Sequence, residues 1–430
     1  MHVKTLILGG GITGLSTAYH LNKLGQTDYL IIEKEQKPGG LCRSIYQDGF
    51  TFDYGGHLLH LHTSYGKKLL FNLLPDNLHC ITRNAWIYTS DYKVPFPFQA
   101  NLYALPPHVR NKCIAELIKV STINNRNPPK NFEEWCIRSF GDGIYKAFMY
   151  PYNKKMWGCE PSDLTCEWCG NFVPAPSKSD IKRSAILKPS KEYGYNPSFY
   201  YPKRGGCGAV IDALTENISQ LLVNTEISQI DLRNKKVFAN GIIISYEYLV
   251  NTLPLSCFLE MLQSSPLKML ADDLRCQQVT VLLIAIKGYH HSFSWIYFPD
   301  KEDPFFRIGM QSSFSSNNAP ADSYSYYVEF PGLINPSRSM EKKTIQILLK
   351  KGLINESDEI LFSIWKHIPY GYVIYDNQRT SIVNMVLNDL ENFQCLCAGR
   401  FALWEYSFIE KALIQGKDVA LKIHTYSKSV

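Results

Sequence analysis

Val3-Lys4-Thr5-Leu6-Ile7-Leu8-Gly9-Gly10-Gly11-Ile12-Thr13-Gly14-Leu15 is the stretch on which the fold turns. Val3, Leu6, Ile7 and Leu8 read as a buried strand, and Leu15, Ala18, Tyr19 and Leu21 repeat with helical spacing. Between them lies Gly9-x-Gly11-x-x-Gly14. A second apolar strand, Tyr29 to Ile32, ends at Glu33, about 20 residues further on. Strand, glycine turn, helix, strand and acid in this order are what a dinucleotide-binding βαβ unit requires. Gly9 permits the tight turn, Gly11 lets the backbone approach a pyrophosphate, and Gly14 lets the helix pack close to the strand. The helix N-terminus at Ile12 and Thr13 offers free N–H groups to phosphates. Glu33, followed by Lys34, is placed to accept from a ribose diol.

A second glycine pair follows in Lys37-Pro38-Gly39-Gly40-Leu41-Cys42-Arg43-Ser44. Here the chain resembles the two-dinucleotide-binding-domain flavoproteins, which include amine oxidases, protoporphyrinogen oxidases and UDP-galactopyranose mutases. The resemblance implies FAD rather than NAD as the resident nucleotide. It places Gly40, Leu41, Arg43 and Ser44 along the FAD, with Arg43 or Ser44 near the flavin.

With 430 residues the chain is long enough for two or three domains. Its 45% hydrophobic and 20% charged residues are ordinary for a globular protein. A net charge of +6 suits an anionic substrate, and no basic run argues for nucleic acid. The twelve cysteines are scattered. Cys166-x-x-Cys169 and Cys395-x-Cys397 have neither a second matching pair nor neighbouring histidines, so they read as packing residues and no metal is expected. No signal peptide precedes the first strand, and no apolar run reaches the roughly 18 residues of a membrane span. A cytoplasmic enzyme with reduced thiols, without stable membrane insertion and open to homo-oligomerisation, is the expectation.

Further blocks narrow the resemblance to the mutases. Asp53-Tyr54-Gly55-Gly56-His57 is similar to their signature, in which the histidine loop packs on the isoalloxazine ring. Val94-Pro95-Phe96-Pro97-Phe98-Gln99 and Phe148-Met149-Tyr150-Pro151-Tyr152-Asn153-Lys154-Lys155-Met156-Trp157 resemble segments of the donor pocket. Tyr201-Pro202-Lys203-Arg204-Gly205-Gly206 resembles a glycine turn near the flavin. Trp295-x-Tyr297-Phe298-Pro299 and Phe305-Phe306-Arg307 resemble the blocks that meet the substrate diphosphate. Gly399-Arg400, with Tyr406 beyond it, resembles the closing block, and Tyr372 lies upstream.

The resemblance implies an α/β fold. A discontinuous Rossmann-like FAD-binding domain (1–70, 200–265 and 385–430) would carry a mainly helical insertion (71–199) and an antiparallel-sheet substrate domain (266–384). Segment 178–198 reads as a loop and Val210 to Leu222 as a helix. The resemblance implies cofactor contacts from Gly9, Gly11, Ile12, Thr13, Gly14, Glu33, Lys34, Gly40, Leu41, Arg43, Ser44, Gly55, Gly56, His57, Arg204, Gly205, Gly206, Gly399 and Arg400. It gives His57, Arg307, Tyr297, Tyr372 and Tyr406 catalytic roles. Phe96, Gln99, Asn153, Trp157 and Trp295 join those tyrosines and Arg307 around a nucleotide sugar, most simply UDP-linked.

The implied reaction interconverts pyranose and furanose forms, with N5 of reduced FAD as covalent catalyst and NAD(P)H as transient reductant. A role in cell-surface polysaccharide biosynthesis is implied with it. Three departures mark this chain: Phe172 stands where the eukaryotic-type mutases have a phosphate-binding arginine, Phe96 replaces a tyrosine, and Phe408-Ile409-Glu410-Lys411 replaces an Asn-x-Asp-Gln-like segment. Lys411 is the candidate to supply the lost charge. Two other readings stay open: a hydride-transferring FAD oxidoreductase, and a non-catalytic flavin-binding homologue.

Overall fold

Leu6, Ile7 and Leu8 are fully buried because strand His2–Leu8 lies inside a seven-stranded sheet, between parallel neighbours Tyr29–Ile32 and Ile242–Asn251. A parallel strand covered on both faces needs this continuous apolar run. Leu221–Leu222 pairs beyond Tyr29–Ile32, and Cys395–Cys397 pairs with the end of Ile242–Asn251. The antiparallel hairpin Ile227–Asp231 and Lys236–Ala239 completes the sheet. Helices Ile12–Lys23 and Ile409–Lys428 pack against each other, so the two ends of the chain close one layer. The computed structural model describes residues 1–122, 127–194 and 196–428, and of Asn171 only the backbone.

The second seven-stranded sheet runs Glu359–Val373, Cys276–Lys287, Ser323–Pro331, Arg307–Met310, Trp295–Tyr297, Ala85–Tyr88, Lys93–Pro95. Its pairs are antiparallel except Trp295–Tyr297 with Ala85–Tyr88, which is parallel. Two strands of the insertion therefore finish the substrate sheet. The rest of segment 71–199 is mainly helical, apart from strand Leu78–Thr82, which pairs with Ser198–Pro202. Its helix at 142–157 passes through a π-turn, Tyr145–Met149, just before Pro151. Proline lacks the N–H that would continue the ladder at that point, and one turn on the Asn153 side-chain amide donates to the Met149 carbonyl at 2.7 Å.

Several expectations are corrected. Positions 70, 200 and 385 lie inside helix Ser64–Leu73, strand Ser198–Pro202 and helix Arg379–Asn392. Segment 178–198 is not all loop: Lys178–Ser184 is a helix, capped by the Ser177 hydroxyl accepting from the Asp180 N–H at 3.1 Å. The helix expected to run to Leu222 is Gly208–Thr215, and Leu221–Leu222 joins the first sheet. All twelve cysteines are free. No helix among the described residues is long and apolar enough to cross a membrane.

Candidate active site

The first glycine turn is built as its spacing requires. A Cβ on Gly14 would meet the Gly9 carbonyl oxygen at 2.1 Å, so helix and turn touch backbone to backbone. A Cβ on Gly11 would meet nothing within 4 Å, and one on Gly40 only the Gly11 Cα at 3.5 Å. The two glycine turns are stitched together by the Gly39 N–H donating to the Gly10 carbonyl at 2.7 Å. What remains is bare backbone facing open space at a helix N-terminus, which fits a pyrophosphate. Glu33 lies at its edge, 8% exposed, its carboxylate accepting from the Gly10 and Glu35 N–H groups at 2.8 and 2.9 Å.

The other end of the cradle holds two orphaned nitrogens. Arg400 donates to the Ser407 and Gly371 carbonyls at 2.9 and 2.8 Å, while its buried Nε has no partner. The His57 Nδ1 is shielded and likewise unpartnered. Both fit a ligand rich in hydrogen-bonding edges, as a flavin is. Thus the residues present suit FAD.

Burial, with Arg400 and Arg307 close by, pushes the His57 pKa down to about 4. Burial, His62 and Arg83 do the same to His60, also to about 4. Both imidazoles are neutral at pH 7. Because the unfolded chain binds more protons between their ordinary 6.5 and about 4, stability should fall as pH drops through that window. Above pH 6.5 these groups add no slope. Urea midpoints at pH 7, 5.5 and 4.5 test this, and His60→Gln should flatten the fall.

Beside His57 lies a cross-strand pair. Arg307 and Glu329 are directly opposed in neighbouring strands. The guanidinium grips the carboxylate with Nε and with Nη2, the latter at 2.8 Å, and Nη2 also reaches the Tyr372 hydroxyl at 3.1 Å. The loop bearing His57 lies on this pair. A Cβ on Gly55 (φ +113°) would sit 2.9 Å from a Glu329 carboxylate oxygen, and one on Gly56 2.9 Å from the Tyr327 hydroxyl. Only bare glycines let the loop approach so closely. The His57 loop and the arginine centre are one unit.

Aromatic rings wall this unit. Tyr297, opposite Arg307 on its other side, has Phe96 at 4.9 Å and Tyr152 at 5.1 Å between ring centroids. Tyr406 lies 5.8 Å from Tyr372, 4.7 Å from the Arg400 guanidinium and 4.2 Å from Phe172. Trp157, 1% exposed, packs behind the two tyrosines. Its indole N–H donates to the Asn153 amide oxygen at 3.3 Å. Trp295 is buried against Phe199, its indole N–H unpartnered. The Gln99 amide nitrogen donates to the Pro174 carbonyl.

Other expected residues turn elsewhere. The Ser44 hydroxyl donates to Asp53 at 2.6 Å and accepts from the Gly208 N–H at 2.8 Å, so it is committed within the protein. Arg43 stacks over Tyr54 and donates to the Gly40 carbonyl at 3.0 Å. Lys34 and Arg204 are exposed. Lys411 is not a spare cation, because Glu405 holds it at 2.7 Å. Glu410, 1% exposed, accepts from the His62 and Thr63 N–H groups, both at 2.9 Å, ahead of helix Ser64–Leu73.

Two carboxylates at the centre escaped the sequence reading. Glu329 sits in an alternating strand run with nothing local to mark it. Asp53, fully buried, gathers the Ser44, Tyr201 and Gln311 side chains and the Cys207 N–H at 2.6, 2.7, 3.1 and 2.9 Å. It ties four separate segments together beneath the cradle.

Residues 7–73 match the family model of the NAD(P)-binding Rossmann-like domain. The Escherichia coli dTDP-fucopyranose mutase is 29% identical over 226 residues, 47% of this chain and 50% of that protein. The chain spans about half the length of the curated relatives it matches. A crystal structure of reduced UDP-galactopyranose mutase superimposes with a TM-score of 0.93 at 28% identity, over 99% of this chain and 96% of the other. A protoporphyrinogen oxidase-type structure from Exiguobacterium shares the fold, with a TM-score of 0.75 at 16% identity over 99% of both chains. In its fold and in the blocks quoted above, the chain is UDP-galactopyranose mutase-like.

Proposed function

We propose that this chain interconverts the pyranose and furanose forms of a pyrimidine nucleoside-diphosphate hexose. The observation that carries the reading is the Arg307–Glu329–Tyr372 cluster lying directly under the Gly55-Gly56-His57 loop. It sets one anion-binding fork beside the place where a flavin would end. Reduced FAD, when bound, supplies a nucleophilic N5 for the anomeric carbon. The chain's own residues then have a limited task. Arg307, braced by Glu329, takes charge developing on the departing diphosphate, and the Tyr297, Tyr372 and Tyr406 hydroxyls supply further donors. His57, neutral, covers the ring without adding charge. Asn153 and Trp157 wall the nucleotide end.

Phe96 and Phe172 set apolar rings against Tyr297 and Tyr406. UDP-galactopyranose and dTDP-fucopyranose, taken from the names of the relatives, are the donors to try first. The second lacks the 6-hydroxyl and suits such rings. NAD(P)H is the reductant we expect, and a cytoplasmic setting goes with it.

An anaerobic assay tests the proposal. Dithionite-reduced protein is given UDP-galactofuranose or dTDP-fucofuranose and pyranose formation is followed by chromatography. Turnover confined to the reduced protein is expected. Reduction of the flavin by an added substrate would replace this reading with hydride transfer. Bound FAD with no turnover on any nucleotide sugar would leave a binding protein.

A further inference from the structure

Two adjacent lysines on helix Tyr150–Trp157 behave differently. Lys154 is exposed and pairs with the exposed Glu160. Lys155 points inward, and its ammonium lies among four backbone carbonyls of one loop. It donates to those of Phe298, Asp303 and Phe305 at 2.8, 3.0 and 3.3 Å and to that of Asp300. That loop joins strand Trp295–Tyr297 to strand Arg307–Met310. It therefore begins one residue after Tyr297 and ends one residue before Arg307.

We infer that Lys155 is a positioning residue that sets Tyr297 and Arg307 for the donor diphosphate. Four carbonyl dipoles converging on one point repel one another unless a cation lies between them. The loop is thus moulded on the ammonium. The backbone bond from the Phe298 N–H to the Phe306 carbonyl, 2.9 Å, carries that shape to the two side chains. Two of the loop's own carboxylates have other ties. Lys351 holds Asp303 at 3.1 Å from the far side, and the Asp300 carboxylate accepts from the Ser90 hydroxyl at 2.9 Å. Lys155 links the loop to the helix bearing Asn153 and Trp157. It registers the phosphate end of the pocket against the nucleotide end.

The inference rests on the reading of Arg307 as the donor's phosphate-binding group, and the experiment separates the two. In the holoprotein, Lys155→Met keeps an unbranched stem as far as Cε and removes the charged ammonium. Amide exchange in residues 298–306 should quicken and the Kd for UDP should rise, each about tenfold, as for one lost charge-assisted contact. The kcat at saturating donor should change far less, whereas a general folding defect would move both kcat and KM. In Lys155→Ala, added propylammonium should restore UDP affinity, and tetramethylammonium, which has no N–H, should not. Unchanged exchange in Lys155→Met overturns the inference. So does unchanged UDP affinity when the wild type binds UDP. If the wild type binds no UDP, the mutase reading fails, and exchange alone decides: quickened exchange upholds Lys155 as the loop's mould, and unchanged exchange overturns it.

Discussion

Arg307→Lys is expected to lower kcat/KM by about a hundred- to a thousand-fold in the reduced protein, with FAD content unchanged. The substitution is chosen for what it leaves intact. Glu329 is 4% exposed and its carboxylate is gripped by the arginine through two nitrogens. Arg307→Ala would strand that carboxylate, at about 3–5 kcal/mol, and any loss of activity would be confounded with loss of fold. Lysine keeps the charge and removes the planar fork. One ammonium cannot hold Glu329, the Tyr372 hydroxyl and a phosphate oxygen in the directions a guanidinium does. The ground-state loss, about 1.5–3 kcal/mol for a charge-assisted bond, would show in KM. The remainder would show in kcat, because charge on the diphosphate grows as it departs. Steady-state kinetics under anaerobic conditions check this. A change of less than about fivefold in kcat/KM, which is about 1 kcal/mol, would mean that Arg307 does not face the leaving group.

Residues whose role is local were legible in the sequence. Gly9, Gly11 and Gly14 act through spacing within a turn, and the strands and helix around them declare themselves by period. Arg307 was legible because an arginine after two phenylalanines sits in a block resembling one already understood. Its partner was not. Glu329 lies 22 residues away and meets Arg307 only because the strand register puts them opposite. Asp53 was quoted as part of a motif and its function missed, since three of its four donors lie 148, 154 and 258 residues away. Lys155 was hidden in the same way, its acceptors being carbonyls, which every residue carries. Helix Arg379–Asn392 did have a signal, in Ile382, Val383, Val386 and Leu390, that was passed over. Lys411 shows the opposite error. A charge near a gap in a motif looked like compensation, and the fold gives it to Glu405.

Gly11→Val and Gly14→Ala, two changes three residues apart, are expected to fail in opposite ways. Gly11 has φ −71° and ψ 176°, which any residue adopts, and open space where a side chain would go. Valine there should leave the apoprotein's melting temperature within about a degree of the wild-type apoprotein, as for a surface change without strain. Its methyl groups would fill the space over the backbone at the helix N-terminus, so FAD affinity should fall by about 100-fold or more, roughly 2.7 kcal/mol. The purified protein should be colourless. Gly14 is the reverse case. A methyl group there lies 2.1 Å from the Gly9 carbonyl oxygen, backbone that can yield only by shifting the helix from the strand. Overpacking of this kind costs about 1–3 kcal/mol and would lower the apoprotein's melting temperature directly. Melting curves of both variants, with and without added FAD, separate the two. Wild-type protein should gain stability with FAD by mass action, Gly14→Ala should gain it from a lower base, and Gly11→Val should gain almost none. A yellow, FAD-stabilised Gly11→Val would show that the pyrophosphate does not lie over this turn, and the cradle would have to be sought elsewhere along the carboxyl ends of the parallel strands.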